Sequence, residues 1–102
     1  MFSDLTIPIM NAVQTKVALI TGAGAGIGKA AANSFLKAGY QVVLTGRHLD
    51  RLKQAIIDIG GNQNNCLAIA CDVGKPEDVK NLFSKIKACF GRIDVLFNNA
   101  GM

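Results

Sequence analysis

The sequence predicts an α/β fold, a doubly wound parallel sheet built in the order β-α-β-α-β-α-β. Three observations carry that expectation. Short apolar runs alternate with segments of helical length and helical periodicity. A glycine follows each helical segment. The first apolar run opens through a cluster of glycines directly into a helix. Strands alternating with helices of about ten to fifteen residues imply parallel pairing through crossovers. Apolar strands fit a sheet covered on both faces.

Each element has its own warrant. Residues 16–21 form the first strand, and residues 26–38 the first helix. The stripe expected on that helix is Ile27, Ala30, Ala31, Ser34, Phe35 and Ala38, with Gly39 as its stop. Residues 41–45, rich in Val and Leu, form the second strand. Residues 49–59 form the second helix, with Leu49, Leu52, Ile56 and Ile59 facing inward and Gly60-Gly61 ending it. Residues 66–71 make the third strand. The third helix covers residues 76–90. Pro76 suits its first position, Glu77 and Asp78 suit its N-terminus, and Val79, Leu82, Phe83, Ile86 and Phe90 make its stripe. Residues 93–97 form the fourth strand, and Asn98, Asn99, Ala100 and Gly101 follow it.

With strand order 3-2-1-4, two helices lie on one face of the sheet and one on the other. A single helix cannot cover four strands, and the fourth strand is then an open edge. Residues 16–102 are therefore expected to be the first part of a larger domain, truncated after its fourth strand. Residues 1–15 read as an N-terminal extension, since they lack a compact apolar stretch ahead of a small-residue cleavage site.

Composition excludes several classes. The chain has 102 residues, half of them apolar, which argues against disorder. Its longest apolar runs are too short to span a membrane. The net charge of +4 comes from dispersed lysines, so no nucleic-acid partner is expected. Cys66, Cys71 and Cys89 show no CxxC spacing and read as buried thiols in a reducing, cytoplasmic setting. With a single histidine, His48, no metal site is expected.

The most informative stretch is residues 16–29, Lys-Val-Ala-Leu-Ile-Thr-Gly-Ala-Gly-Ala-Gly-Ile-Gly-Lys. A strand ending in glycines that open a helix presents free N–H groups and a positive dipole end to an anion. In that context Gly22, Gly26 and Gly28 point to a dinucleotide's pyrophosphate. The rival is a P-loop, which requires glycine at Ala23 and Ser or Thr at Ala30, and so fails twice. A merely flexible loop is the plainer alternative. At the tip of the second strand, Thr45-Gly46-Arg47-His48 carries no acid to hold a ribose diol. Arg47 offers a planar fork for a 2′-phosphate, which favours NADP(H) and leaves NAD(H) possible. A solvated Arg47 is the alternative, and His48 reads as a surface residue.

These residues resemble the N-terminal half of a short-chain dehydrogenase/reductase. Thr21-Gly22-x-x-x-Gly26-x-Gly28, Asp72-Val73 after the third strand and Asn98-Asn99-Ala100-Gly101 after the fourth carry the resemblance. It implies a Rossmann-type domain. It also implies that Thr21, Gly22, Gly24, Gly26 and Gly28 line the cofactor's phosphates and that Ile27 covers it. Asp72 then takes the adenine amino group, with Val73 alongside. Asn98, Ala100 and Gly101 pass the ribose, and Asn99 braces the central strands. An Asp72 that merely caps a turn is the plainer alternative. The family's activity implies hydride transfer between the nicotinamide and a carbonyl or alcohol, a small-molecule substrate, and a homo-oligomer of the full-length protein.

The chain departs from the family in one respect. Its catalysis uses a Ser and a Tyr-x-x-x-Lys pair, whereas the one tyrosine here, Tyr40, is followed four residues on by Leu44. No catalytic residue is therefore assigned. A non-catalytic dinucleotide-binding module and a non-functional truncated product remain the alternatives to the cofactor-binding portion of an oxidoreductase.

Overall fold

The computed structural model describes residues 15–99. The elements are β1 (Val17–Thr21), α1 (Gly26–Lys37), β2 (Gln41–Gly46), α2 (Leu49–Asp58), β3 (Cys66–Ala70), α3 (Pro76–Cys89) and β4 (Val95–Phe97). The strands form one parallel sheet in the order β3-β2-β1-β4, as the pattern predicts. The expected extension at residues 1–15 lies almost wholly outside the described residues, as do Ala100 and Gly101.

The alternation of side chains along the strands divides the core in two. Ala18, Ile20, Val42, Leu44 and Cys66 pack with Ala32 of α1 and with Leu52 and Ala55 of α2. Val17, Leu19, Val43 and Ile69 pack on the other face with Leu82 and Ile86 of α3. Every residue of β1 is buried, which explains its continuous apolar run.

All three helix faces differ from the expected stripes; on α2, Leu49 at the helix start is exposed, while Leu52 is buried. On α1 the buried residues are Gly28 and Ala32, with Ala31, Phe35 and Leu36 packed beside them. Ile27 is 66% exposed, and Ala30, Ser34 and Ala38 are also exposed. The helix is turned so that Gly28 meets the glycine loop, and the rest of the face follows from that contact. On α3, Phe83 is 44% exposed. Nothing among the described residues covers the β4 side of that face. Leu96 pairs in register with the buried Leu19, yet is 55% exposed.

The expected fourth strand is shortened at its start by a side chain. The Asp94 carboxylate accepts the Val17 N–H at 2.8 Å, and Val17 O accepts the Asp94 N–H at 2.8 Å. Arg92 holds the same carboxylate at 2.6 Å and, together with Val17, keeps it below the usual carboxylate range. Cys66 and Cys71 are buried as expected, and burial pushes both thiols up. Cys89 is exposed, contrary to the expectation; it shares the helical face of Leu82 and Ile86 but is the last residue of α3.

An apolar, half-exposed β4 at the sheet edge is a template for association. Leu96→Lys should shift the chain toward monomer without lowering its melting temperature, since the side chain gives up little buried area. Sedimentation velocity across a concentration series checks this. An unchanged oligomer distribution would show that Leu96 is not at the contact.

Candidate functional site: a dinucleotide crevice

The sheet order reverses at β1. Its neighbour β2 is reached through α1, while β4 lies on its other side. Such a switch point leaves a crevice at the carboxyl ends of the strands. The segments after β1, β2, β3 and β4 all meet that edge. They carry the glycine loop, Arg47, Asp72 and Asn98, respectively.

The loop's geometry explains its glycines. A Cβ on Gly28 would overlap the Gly22 carbonyl oxygen, so only glycine lets α1 start this close to β1. Gly26 is different. It stands in open space with φ at 59°, so the turn conformation, not crowding, selects it. Ala23 is fully buried, and its N–H donates to the Thr45 carbonyl at 3.2 Å, anchoring the loop to β2.

Ala25 stands at the N-cap of α1 and supplies no side-chain cap, and the helix's first turn holds no acid. Its leading N–H groups and the positive end of its dipole are therefore free for an anion. Lys29, the cation a P-loop would need, instead pairs with Asp58 of α2 at 2.6 Å. That contact holds Asp58 below the usual carboxylate range.

The far side of the loop is tied to β4. Thr21 Oγ1 donates to Asn98 Oδ1 at 3.0 Å and accepts the Asn99 N–H at 2.7 Å. Asn99 Nδ2 reaches the Gly22 carbonyl at 3.5 Å. The structure thus brings Asn99 against the central strand and the glycine turn.

Two cavities flank Arg47. One, of about 200 Å³, is lined by Gly22, Gly24, Gly46, Arg47, His48 and Arg51, among others. The second, of about 270 Å³, is lined by Arg47, Ala70, Cys71, Asp72, Lys75 and Asp78. Asp72 Oδ1 accepts the Gly74 N–H at 2.9 Å, so one carboxylate oxygen caps its own turn. The second oxygen is not used by that cap. Val73, 48% exposed, follows it at the surface, and Ile27 is exposed at the start of α1. Sequence reasoning placed His48 on the surface and passed over Arg51. Both line the smaller cavity. The signal for Arg51 was its place in the first turn of α2, four residues after Arg47. Among the described residues no cluster of metal-ligating side chains occurs, and no helix is long and apolar enough to cross a membrane.

Known proteins with this arrangement decide the family. The short chain dehydrogenase family model matches residues 16–102. The chain belongs to the short-chain dehydrogenase family. It is 40% identical over 86 residues to mouse dehydrogenase/reductase SDR family member 1, covering 83% of this chain and 28% of that protein. A metagenomic short-chain oxidoreductase solved with NADP matches at TM-score 0.78 and 36% identity, over 85% of this chain and 39% of that one. A 3-ketoacyl-(acyl-carrier-protein) reductase from Brucella melitensis, solved with NADH, matches at TM-score 0.73 and 38% identity, over 79% of this chain and 32% of that one. The chain thus spans well under half of the length of each of these family members.

The loop geometry separates two kinds of glycine by experiment. Gly28→Ala forces apart α1 and the Gly22 carbonyl and should abolish dinucleotide binding in calorimetric titration. Gly26→Ala should cost only about 1–2 kcal/mol of backbone strain and leave measurable binding. Equal losses would show that the close approach at Gly28 is not the governing contact.

Proposed function

We propose that this chain is the cofactor-binding portion of an NADP(H)-dependent oxidoreductase. The observation that carries the reading is the uncapped, acid-free N-terminus of α1 at the switch point of the sheet, behind a loop that requires Gly28. Gly22, Gly24, Gly26 and Gly28 would lie along the pyrophosphate, with Thr21 behind them. Ile27 would cover the cofactor. Asp72 and Val73 would face the adenine, and Asn98, Ala100 and Gly101 would pass the ribose.

Arg47 supports NADP(H). It lines both cavities and stands beside Gly46, where an acid would otherwise hold the ribose hydroxyls. Space does not impose glycine at position 46, since an added Cβ would meet Leu52 Cδ2 at an ordinary 3.4 Å. The absent acid is thus a choice of the sequence. A guanidinium fork on a phosphate contributes about 1.5–3 kcal/mol. Arg47→Asp should therefore lower NADP(H) affinity about tenfold or more and NAD(H) affinity little, by calorimetric titration. Equal losses for both cofactors would remove Arg47 from 2′-phosphate recognition.

The complete protein would transfer hydride between the nicotinamide and a carbonyl or alcohol. The proton transfer that accompanies such a step needs a positioned acid or base. Tyr40 cannot supply it. Its ring packs edge-on against Phe35, with centroids 5.1 Å apart, and the residue four positions on is Leu44. Residues 1–102 alone should therefore show no carbonyl-dependent oxidation of NADPH, followed by absorbance at the nicotinamide band. Turnover by the purified chain would overturn this assignment of roles.

A further inference from the structure

The turn from α3 to β4 carries a cavity that the crevice does not use. Its volume is about 220 Å³, and it is lined by Phe83, Ile86 and Lys87 of α3 and by Gly91, Arg92 and Ile93. It lies at the entry of β4, at the opposite end of the strands from the glycine loop. Three of the lining side chains are apolar, and one of them, Phe83, is 44% exposed. The two cations differ. Arg92 holds Asp94, whereas Lys87 has no ion-pair partner among the described residues. An occupant complementary to this lining is apolar and carries an acid.

The chain enters the sheet beside this cavity. The Val17 N–H donates to the Asp94 carboxylate at 2.8 Å, and Asp94 directly follows the cavity residues Arg92 and Ile93. Residues 1–14 therefore join the described fold at the cavity's edge. A stretch of that length reaches about 46 Å when extended, far more than the width of the cavity. Its composition matches the lining. Phe2, Leu5, Ile7, Ile9, Met10 and Val13 are apolar, and Asp4 is the one charged side chain. Leu5, Ile7 and Ile9 alternate with Thr6 and Pro8, which suits an extended segment with one apolar edge. On the other side of Val17, Gln41 pairs with it in register, and Gln41 Oε1 is buried without a hydrogen-bond partner. A buried acceptor in that state calls for a donor.

We propose that residues 1–14 form a strap that docks in this cavity, with apolar side chains against Phe83, Ile86 and Ile93 and with Asp4 beside Lys87. A backbone N–H near the root of the strap supplies Gln41 Oε1. The occupant is a segment of this chain and not a second copy. By covering the turn, the strap holds the entry of β4 against β1.

The test is amide hydrogen exchange on the full 102-residue chain, read by mass spectrometry. Residues 1–14 should exchange about tenfold or more slower than the same sequence as a free peptide. Phe83→Ser should raise their exchange about tenfold, by loss of apolar contact. Lys87→Glu and Asp4→Lys should each raise it about threefold, and the double variant, which restores opposite charges, should return it to the wild-type rate. Amides of β1 and β2 report whether each variant folds, and Asp4→Lys leaves the sheet and helices unaltered. Exchange of residues 1–14 at the free-peptide rate in the wild type overturns the strap. So does protection that Asp4→Lys leaves intact. Protection that disappears on dilution also overturns it and assigns the contact to a second copy.

Discussion

The contact between Gly28 and the Gly22 carbonyl governs much of this structure. It sets how closely α1 approaches β1, and therefore where the helix's free N–H groups stand. It also sets the rotation of α1. Once Gly28 faces the loop, Ala32 falls on the sheet one turn later, with Phe35 and Leu36 beyond it. Ile27 is turned outward by the same rotation. A single backbone approach thus fixes both the anion-facing end and the packed face of the helix.

The strand and helix order was legible because each element carries an independent signal. β2 centres on the apolar Val42-Val43-Leu44, Pro76 with Glu77 and Asp78 marks the start of α3, and Gly39, Gly60 and Gly91 take positive φ just past the helices. The rotation of α1 was not legible. Ala30, Ala31 and Ala32 stand side by side in the middle of that helix, so periodicity alone could not choose between the face through Ala30 and the face through Ala32. Phe83 misled for a different reason. Its spacing fits the α3 stripe, but burial also needs a neighbour, and the β4 side of that face has none among the described residues.

Of the site, the residues named by sequence pattern lie at one edge of the sheet, as far as they are described. Spacing could not reveal charge balance. Arg47 and Arg51 are both exposed residues near a helix start, a common solvated arrangement. Only the fold shows that they share a cavity without a carboxylate among the described residues, while Asp58, at the far end of α2, is occupied by Lys29. The Lys29–Asp58 bridge also joins α1 to α2, the two helices that flank the loop.

Asp94 gives β4 a dependence that a purely backbone ladder lacks. In a parallel pair the Val17 N–H would ordinarily meet a carbonyl, whose accepting strength does not vary with proton concentration. Here it meets an ionisable carboxylate that Arg92 also holds. Because the folded-state affinity of Asp94 for a proton is depressed, its contribution is complete above the ordinary aspartate range near 4. It fades as acidity rises through the lower folded value. Protonation would release Val17 and Arg92 together, at the point where β4 enters the sheet. Acid should therefore loosen β4 from its first residue onward, and with it the Asn98–Thr21 tether beside the crevice.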